Sequence, residues 1–254
     1  MKKKFNWKKI LIIILVFFAI QGPLTWAIMT GKFSKGNKSE YSVANTETLP
    51  ANALNGKTII YLGSSVTYGS ASGGESFVEY LEKRDGVTPV KEAVSGTTLV
   101  TDEKKNYIER MLTIDPDIKA DAFICQLSTN DATKKKPLGE ISSSTNLEDF
   151  DTGTVAGAIE YIIAYAQKTW NCPVFFYTGT KYDSDAYGEM VKLLLEIQKK
   201  WDITVIDLWN DPEMNAVSKE DYKLYMANGI HPTKAGYRDW WTPKFEEYLL
   251  NQFK

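Results

Sequence analysis

Ile59-Ile60-Tyr61-Leu62-Gly63-Ser64-Ser65-Val66-Thr67-Tyr68-Gly69 decides the fold. A short apolar run halts at Gly63, two serines follow, and a second glycine closes the segment. A buried parallel strand reads this way when it ends in a tight loop at a sheet edge. Open α/β sheets bind ligands at the carboxyl ends of their strands. Ser65 therefore stands where a nucleophile can be presented, although Gly-Ser-Ser is also common in ordinary turns. The far end of the chain adds weight, because its only histidine lies in Asn228-Gly229-Ile230-His231-Pro232.

Outward from that stretch, strand-like and helix-like patterns alternate from Lys57 onward. Strands are expected at Thr58 to Leu62, Thr88 to Val94, Ala122 to Leu127, Pro173 to Thr178 and Thr204 to Leu208. Helices are expected at Ser76 to Lys83, Glu103 to Leu112, Val155 to Trp170, Tyr187 to Trp201 and Thr233 to Phe253. The last is broken near Thr242-Pro243, where Thr242 reads as an N-cap and Pro243 as a first-turn proline. In the third helix Val155, Ile159, Ile162, Ile163 and Ala166 share one face. Alternation of this kind predicts a three-layer α/β/α sandwich with a five-stranded parallel sheet and right-handed crossovers. The segment from Thr133 to Thr152 is longer than such units need. It reads either as a lid or substrate rim, or as a solvent-exposed insertion.

Upstream the composition changes. Met1 to Lys9 is basic, and Ile10 to Met29 is apolar but for Gln21-Gly22-Pro23 and Thr25. About 20 residues suffice to cross a bilayer. Lysines before the run and none immediately after favour a cytoplasmic N-terminus and an outward-facing domain. The competing reading is a signal peptide cleaved near Thr25-Trp26-Ala27, giving a secreted domain. The expected organisation is thus a basic tail and anchor over 1–30, a flexible polar linker over 31–55 and a catalytic-type domain over 56–254.

Charge narrows the partners. The net charge is −2, but six of the 30 basic residues fall in the first 32 positions and none of the 32 acids precedes Glu40. The rest carries 24 basic against 32 acidic residues, about −8, and would be repelled by phosphate backbones. Nucleic acid is not an expected partner. Cys125 and Cys172 lie in or beside apolar runs and read as small buried hydrophobes, with a disulfide possible in an oxidising compartment. No metal or nucleotide cofactor is indicated. The sequence leaves the oligomeric state open.

Acyl transfer to water needs a nucleophile, a base, a group orienting the base and donors for the oxyanion. Four stretches supply candidates, each after a strand: Ser65, Ser95-Gly96-Thr97, Ser128-Thr129-Asn130-Asp131 and His231. All carboxyl ends of a parallel sheet lie on one edge, so topology gathers them. With these residues in order, the chain from Lys57 onward resembles the GDSL-type SGNH hydrolases. Gly63-Ser64-Ser65-Val66-Thr67-Tyr68-Gly69 is similar to their Gly-Asp-Ser-x-Thr-x-Gly block. Gly96 matches the second-block glycine, Asn130 the third-block asparagine, and Asn228-Gly229-Ile230-His231-Pro232 the Asp-x-x-His-Pro block.

The resemblance implies a flavodoxin-like SGNH fold and a catalytic set of Ser65, His231 and Asn228. It also implies an oxyanion hole from the Ser65 and Gly96 N–H groups and the Asn130 amide. The implied substrate is a small ester or acylated carbohydrate. Three positions depart from the pattern: Ser64 replaces an acid, Ser128 a glycine and Asn228 an aspartate. An asparagine carbonyl can accept from the imidazole but brings no negative charge, and its amide nitrogen facing the ring would favour the wrong tautomer. Three cases follow: a slow enzyme, an enzyme with Asp207 or Asp211 as substitute acid, or a surface glycan-binding module without catalysis. A lipid acylhydrolase near its bilayer is a further alternative. Trp209, Trp240, Trp241, Tyr68 and Tyr225 read as core or surface packing, or as stacking platforms for sugars. Trp240 and Trp241 are neighbours on a helix, so at most one faces the core squarely.

Overall fold

The computed structural model describes residues 34–254. In chain order its elements are β1 (Thr58–Gly63), α1 (Ser65–Tyr68), α2 (Phe77–Asp85), β2 (Thr88–Ala93), α3 (Tyr107–Met111) and β3 (Ala122–Gln126). They continue with α4 (Thr129–Thr133), α5 (Val155–Trp170), β4 (Val174–Tyr177), α6 (Asp185–Lys200), β5 (Thr204–Ile206), α7 (Pro212–Asn215) and α8 (Lys219–Tyr225). Last come α9 (Lys234–Gly236), a π-helical turn (Tyr237–Trp241) and α10 (Thr242–Gln252). The five strands form one sheet in the order β2-β1-β3-β4-β5, parallel throughout.

Side-chain alternation along the strands feeds two cores. Ile60, Leu62, Phe123, Cys125 and Phe176 pack on one face with Ile159, Ile163 and Leu194 from α5 and α6. Ile59, Tyr61, Ile124, Phe175 and Tyr177 pack on the other with Phe77, Trp241 and Phe245. Cys125 and Cys172 are both free and buried. Of the two adjacent tryptophans only Trp241 is fully buried. The helix expected from Glu103 starts later, at Tyr107, because Asn106 caps it by accepting from Glu109 N–H.

Two further expectations change. Thr242 is not an N-cap: the chain stays helical from Lys234 through Gln252, with Thr242 itself in the helical region. The π turn falls immediately before Pro243, whose ring cannot donate to, and crowds, the carbonyl four residues back.

The second change concerns 31–55. Its described residues are packed against the domain. Asn37 Nδ2 donates to the Ala71 carbonyl at 2.6 Å, and Asn37 Oδ1 accepts from Lys234 N–H at 2.8 Å. Tyr80 OH donates to the Tyr41 carbonyl, and Val43 N–H to the Glu75 carboxylate. Gly36 is buried, and a Cβ there would run into the Leu224 carbonyl and Thr233 Oγ1. Polar composition suggested a linker, but single-turn 3-10 segments (Lys35–Asn37, Ser39–Tyr41, Val43–Asn45) can dock through backbone groups without an apolar stripe. Gly36→Ala is expected to cost about 1–3 kcal/mol by overpacking and to lower Tm by roughly 5 °C, read by thermal unfolding.

The 133–152 loop is mostly exposed, in line with an insertion, and is held at its middle. Glu160 of α5, fully buried, accepts from Ser142 N–H (2.8 Å), Lys200 Nζ (2.6 Å) and Trp201 Nε1 (3.0 Å). Lys200 also donates to the Ser142 and Ser144 carbonyls. The middle of the loop is therefore fastened to α5 and α6, while its start meets the Gly96 loop through Lys134 and its end, Thr152, accepts from Thr101 N–H. Glu160→Ala should destabilise by about 3 kcal/mol, because Lys200 and the loop amide lose their shared acceptor; denaturant unfolding measures it. No helix among the described residues is long and apolar enough to cross a membrane, and the span expected over 1–30 lies outside those residues.

Candidate active site

Ser65 is the first residue of α1, directly beyond β1, so its N–H has no helical carbonyl four residues back. Its Oγ lies 2.8 Å from His231 Nε2. Behind the ring, Asn228 Oδ1 is 3.0 Å from His231 Nδ1. The same oxygen accepts from the backbone N–H of Ile230 and of His231, both at 3.0 Å. Only an acceptor satisfies two N–H donors, so the amide cannot turn its nitrogen to the ring. Nδ1 therefore carries the proton, and Nε2 is left with a lone pair facing the Ser65 hydroxyl. Of the two orientations left open by sequence, the Asx-type turn at 228–231 selects the one with the amide oxygen toward the ring.

Asp207 and Asp211 do not replace the missing acid. Asp207 accepts from Thr178 Oγ1 and Asn210, while Asp211 caps α7 and pairs with Lys244 at 3.1 Å. Burial, with no carboxylate among the described residues to offset it, pulls the His231 pKa below the usual imidazole value.

The loop presenting Ser65 is held by groups that sequence reading passed over. Gln126, at the end of β3, accepts at Oε1 from Ser64 N–H (2.9 Å), Thr67 N–H (3.3 Å) and Thr67 Oγ1 (2.9 Å). Thr67 Oγ1 also meets Tyr177 OH at 2.6 Å, and Tyr237 OH donates to the Val66 carbonyl. A Cβ on Gly63 would collide with Thr67 Oγ1, so the turn needs glycine for close approach. Arg110 Nη2 bridges the Gly63 carbonyl (2.8 Å) and Thr97 Oγ1 (3.0 Å), tying the first block to the second. A glutamine interrupting the apolar β3 run was the one available signal; Arg110, beside Glu109, gave none.

Gly96 adopts φ +83°, a left-handed conformation suited to glycine. Asn130 Nδ2 donates to the Thr97 carbonyl at 2.9 Å, which sets Asn130 against the Gly96 loop while spending one of its two N–H bonds. The buried Asp131 carboxylate accepts from Leu99 and Val100 N–H, fixing that loop further. Ser128, where the motif has glycine, caps α4 by accepting from Asn130 and Asp131 N–H. Lys134 donates to the Gly96 carbonyl, so the start of the long loop borders this site.

A family model described as GDSL-like Lipase/Acylhydrolase matches residues 61–238. The chain belongs to this family. Solved structures share the fold at low identity. One is a protein from Lactobacillus plantarum, 20% identical over 79% of this chain and 99% of its own, with a TM-score of 0.66. Another is a putative GDSL-like lipase from Bacteroides uniformis, 15% identical over 76% and 95%, TM-score 0.57. A third is a family two carbohydrate esterase from Clostridium thermocellum in complex with cellohexaose, 13% identical over 79% and 66%, TM-score 0.53. None of the curated protein sequences compared with the chain matches it.

Proposed function

We propose that the chain is a serine ester hydrolase that removes acetyl or another short acyl group from cell-surface carbohydrate, held outside the cell by its N-terminal segment. The Ser65–His231–Asn228 hydrogen-bond relay carries the reading. Ser65 Oγ attacks the ester carbonyl as His231 Nε2 takes its proton. The developing oxyanion is received by the N–H groups of Ser65 and Gly96 and the second N–H of Asn130. Collapse of the tetrahedral species expels the sugar alcohol, which takes its proton from His231. Water, deprotonated by the same nitrogen, then releases the acid and frees Ser65.

Family membership and the carbohydrate-bound structural neighbour support this choice of substrate. A second reading, a glycan-binding module with little catalysis, draws on the uncharged Asn228 and on the Asn130 amide turned to Thr97. The full chain in a non-ionic detergent, given 4-nitrophenyl acetate and an acetylated oligosaccharide, separates the two. Saturable acetate release from both is expected. Oligosaccharide binding without any release from either compound would replace the first reading with the second.

A further inference from the structure

A concavity of about 290 Å³ lies outside the relay, lined by none of its residues. Thr180 and Lys181, after β4, form one wall, and Met214, Lys219, Tyr222, Lys223 and Trp240 form the others. Both wall-forming loops leave carboxyl ends of strands, so the concavity opens on the same sheet edge as Ser65. Neighbouring backbone places it near the histidine turn. A Cβ on Gly229 would lie 3.8 Å from Tyr182 Cβ, next to Lys181. The last turn of α8 runs straight into Met226, which bridges to Pro232.

Its chemistry contrasts with the rest of the domain. Lys219, Tyr222 and Lys223 stand at i, i+3 and i+4 and so share one face of α8. Lys181, Lys219 and Lys223 form no ion pair among the described residues, and no carboxylate lines the walls. Three lysines without an ion pair therefore line one hollow of a domain whose overall charge is about −8. The Trp240 ring is held rigid, stacked on Tyr225 at 5.6 Å and edge-on to Tyr222 at 6.4 Å. An aromatic face with an electron-rich quadrupole suits the C–H face of a sugar or polyol, and ammonium groups suit an anion.

We infer that this hollow is a subsite for a negatively charged unit of the acylated glycan, a carboxylate- or phosphate-bearing sugar or polyol next to the esterified one. The inference rests on the ester-hydrolase reading only for what the neighbouring site does to the same chain. It explains why lysines unpaired in the free protein gather here: the substrate supplies their counter-charge. Lys181, Lys219 and Lys223 are exposed, and they rim a concave, aromatic-walled space that a planar anionic membrane surface would not fill.

Calorimetric titration of the full chain in a non-ionic detergent tests it with three probes: trigalacturonate, a glycerol-phosphate trimer and neutral cellotriose. At least one charged probe is expected to bind about tenfold or more tightly than cellotriose and to weaken as salt is raised. Which one binds assigns carboxylate or phosphate. The double variant Lys219→Gln/Lys223→Gln should lose about tenfold in that affinity while keeping the wild-type Tm and rate on 4-nitrophenyl acetate. Equal affinity for cellotriose, no binding of either charged probe, or unchanged affinity in the variant would each overturn the proposal. Failure to hydrolyse 4-nitrophenyl acetate would instead count against the ester-hydrolase reading, since binding is read without turnover.

Discussion

Ser65→Ala is expected to lower kcat/KM on 4-nitrophenyl acetate by about 10⁴ with no loss of folded protein. Removing the nucleophile of an intact serine triad costs about 10⁶ in rate, and the remainder over water comes from the oxyanion site and binding. Here the starting enzyme already lacks a charged third member, so less remains to be lost. The size of that loss depends on how much Asn228 forfeits, and the geometry limits that. In a serine protease the corresponding Asp-to-Asn change costs about 10⁴, largely because the imidazole takes the wrong tautomer. Two backbone N–H groups prevent that here by holding Asn228 Oδ1 toward Nδ1. What is missing is the charge alone.

Asn228→Asp should accordingly raise kcat/KM by about 10² at neutral pH. One carboxylate oxygen can keep all three hydrogen bonds that Oδ1 makes, so the turn need not move. A full charge near the ring is worth about 4 kcal/mol at 4 Å and an effective dielectric of 20. Asn228 is exposed but the His231 ring is half-buried, an intermediate setting that reduces that to about 2–3 kcal/mol. The pH profile must change with it. Wild-type His231 has a pKa below the ordinary value through burial, and catalysis needs the neutral ring. The acid limb of wild-type kcat/KM should thus lie below the unperturbed value of about 6.5. The carboxylate introduced by Asn228→Asp would stabilise the imidazolium, raise that pKa and move the acid limb upward. The gain should therefore be large at pH 7 and above and shrink as the solution is acidified. A gain independent of pH would contradict the assignment of the effect to charge.

Much of this site could be read in advance because a parallel sheet converts sequence order into proximity. β1 stopping at Gly63 places Ser65, and the other blocks follow once each is seen to trail a strand. The Ser65–His231 contact across the chain is the direct product of that topology. Less legible were the groups whose partners lie far away in sequence. Gln126 looks like a polar exception in an apolar strand, and Arg110 like an ordinary charge beside Glu109, until the loops they join are brought together. The docked turns at 35–45 were hidden for a related reason. Their anchors are backbone groups and Asn37, which leave no hydrophobic period, and their positions depend on Lys234 and Glu75. The orientation of Asn228 was undecidable from residue type, since the same amide can donate or accept. The backbone turn that decides it exists only in the folded chain.

The role of Ser65 is most directly tested by covalent trapping. The full chain would be reacted with a 4-nitrophenyl methylphosphonate ester, and the released phenolate and peptide masses measured. An attacking serine displaces 4-nitrophenolate and retains the phosphonyl group. The relay predicts one equivalent of phenolate, one adduct on the peptide containing Ser65, and none at a comparable rate in His231→Ala. A folded chain that forms no adduct, or carries it on another residue, would contradict the assignment of Ser65 as the nucleophile activated by His231.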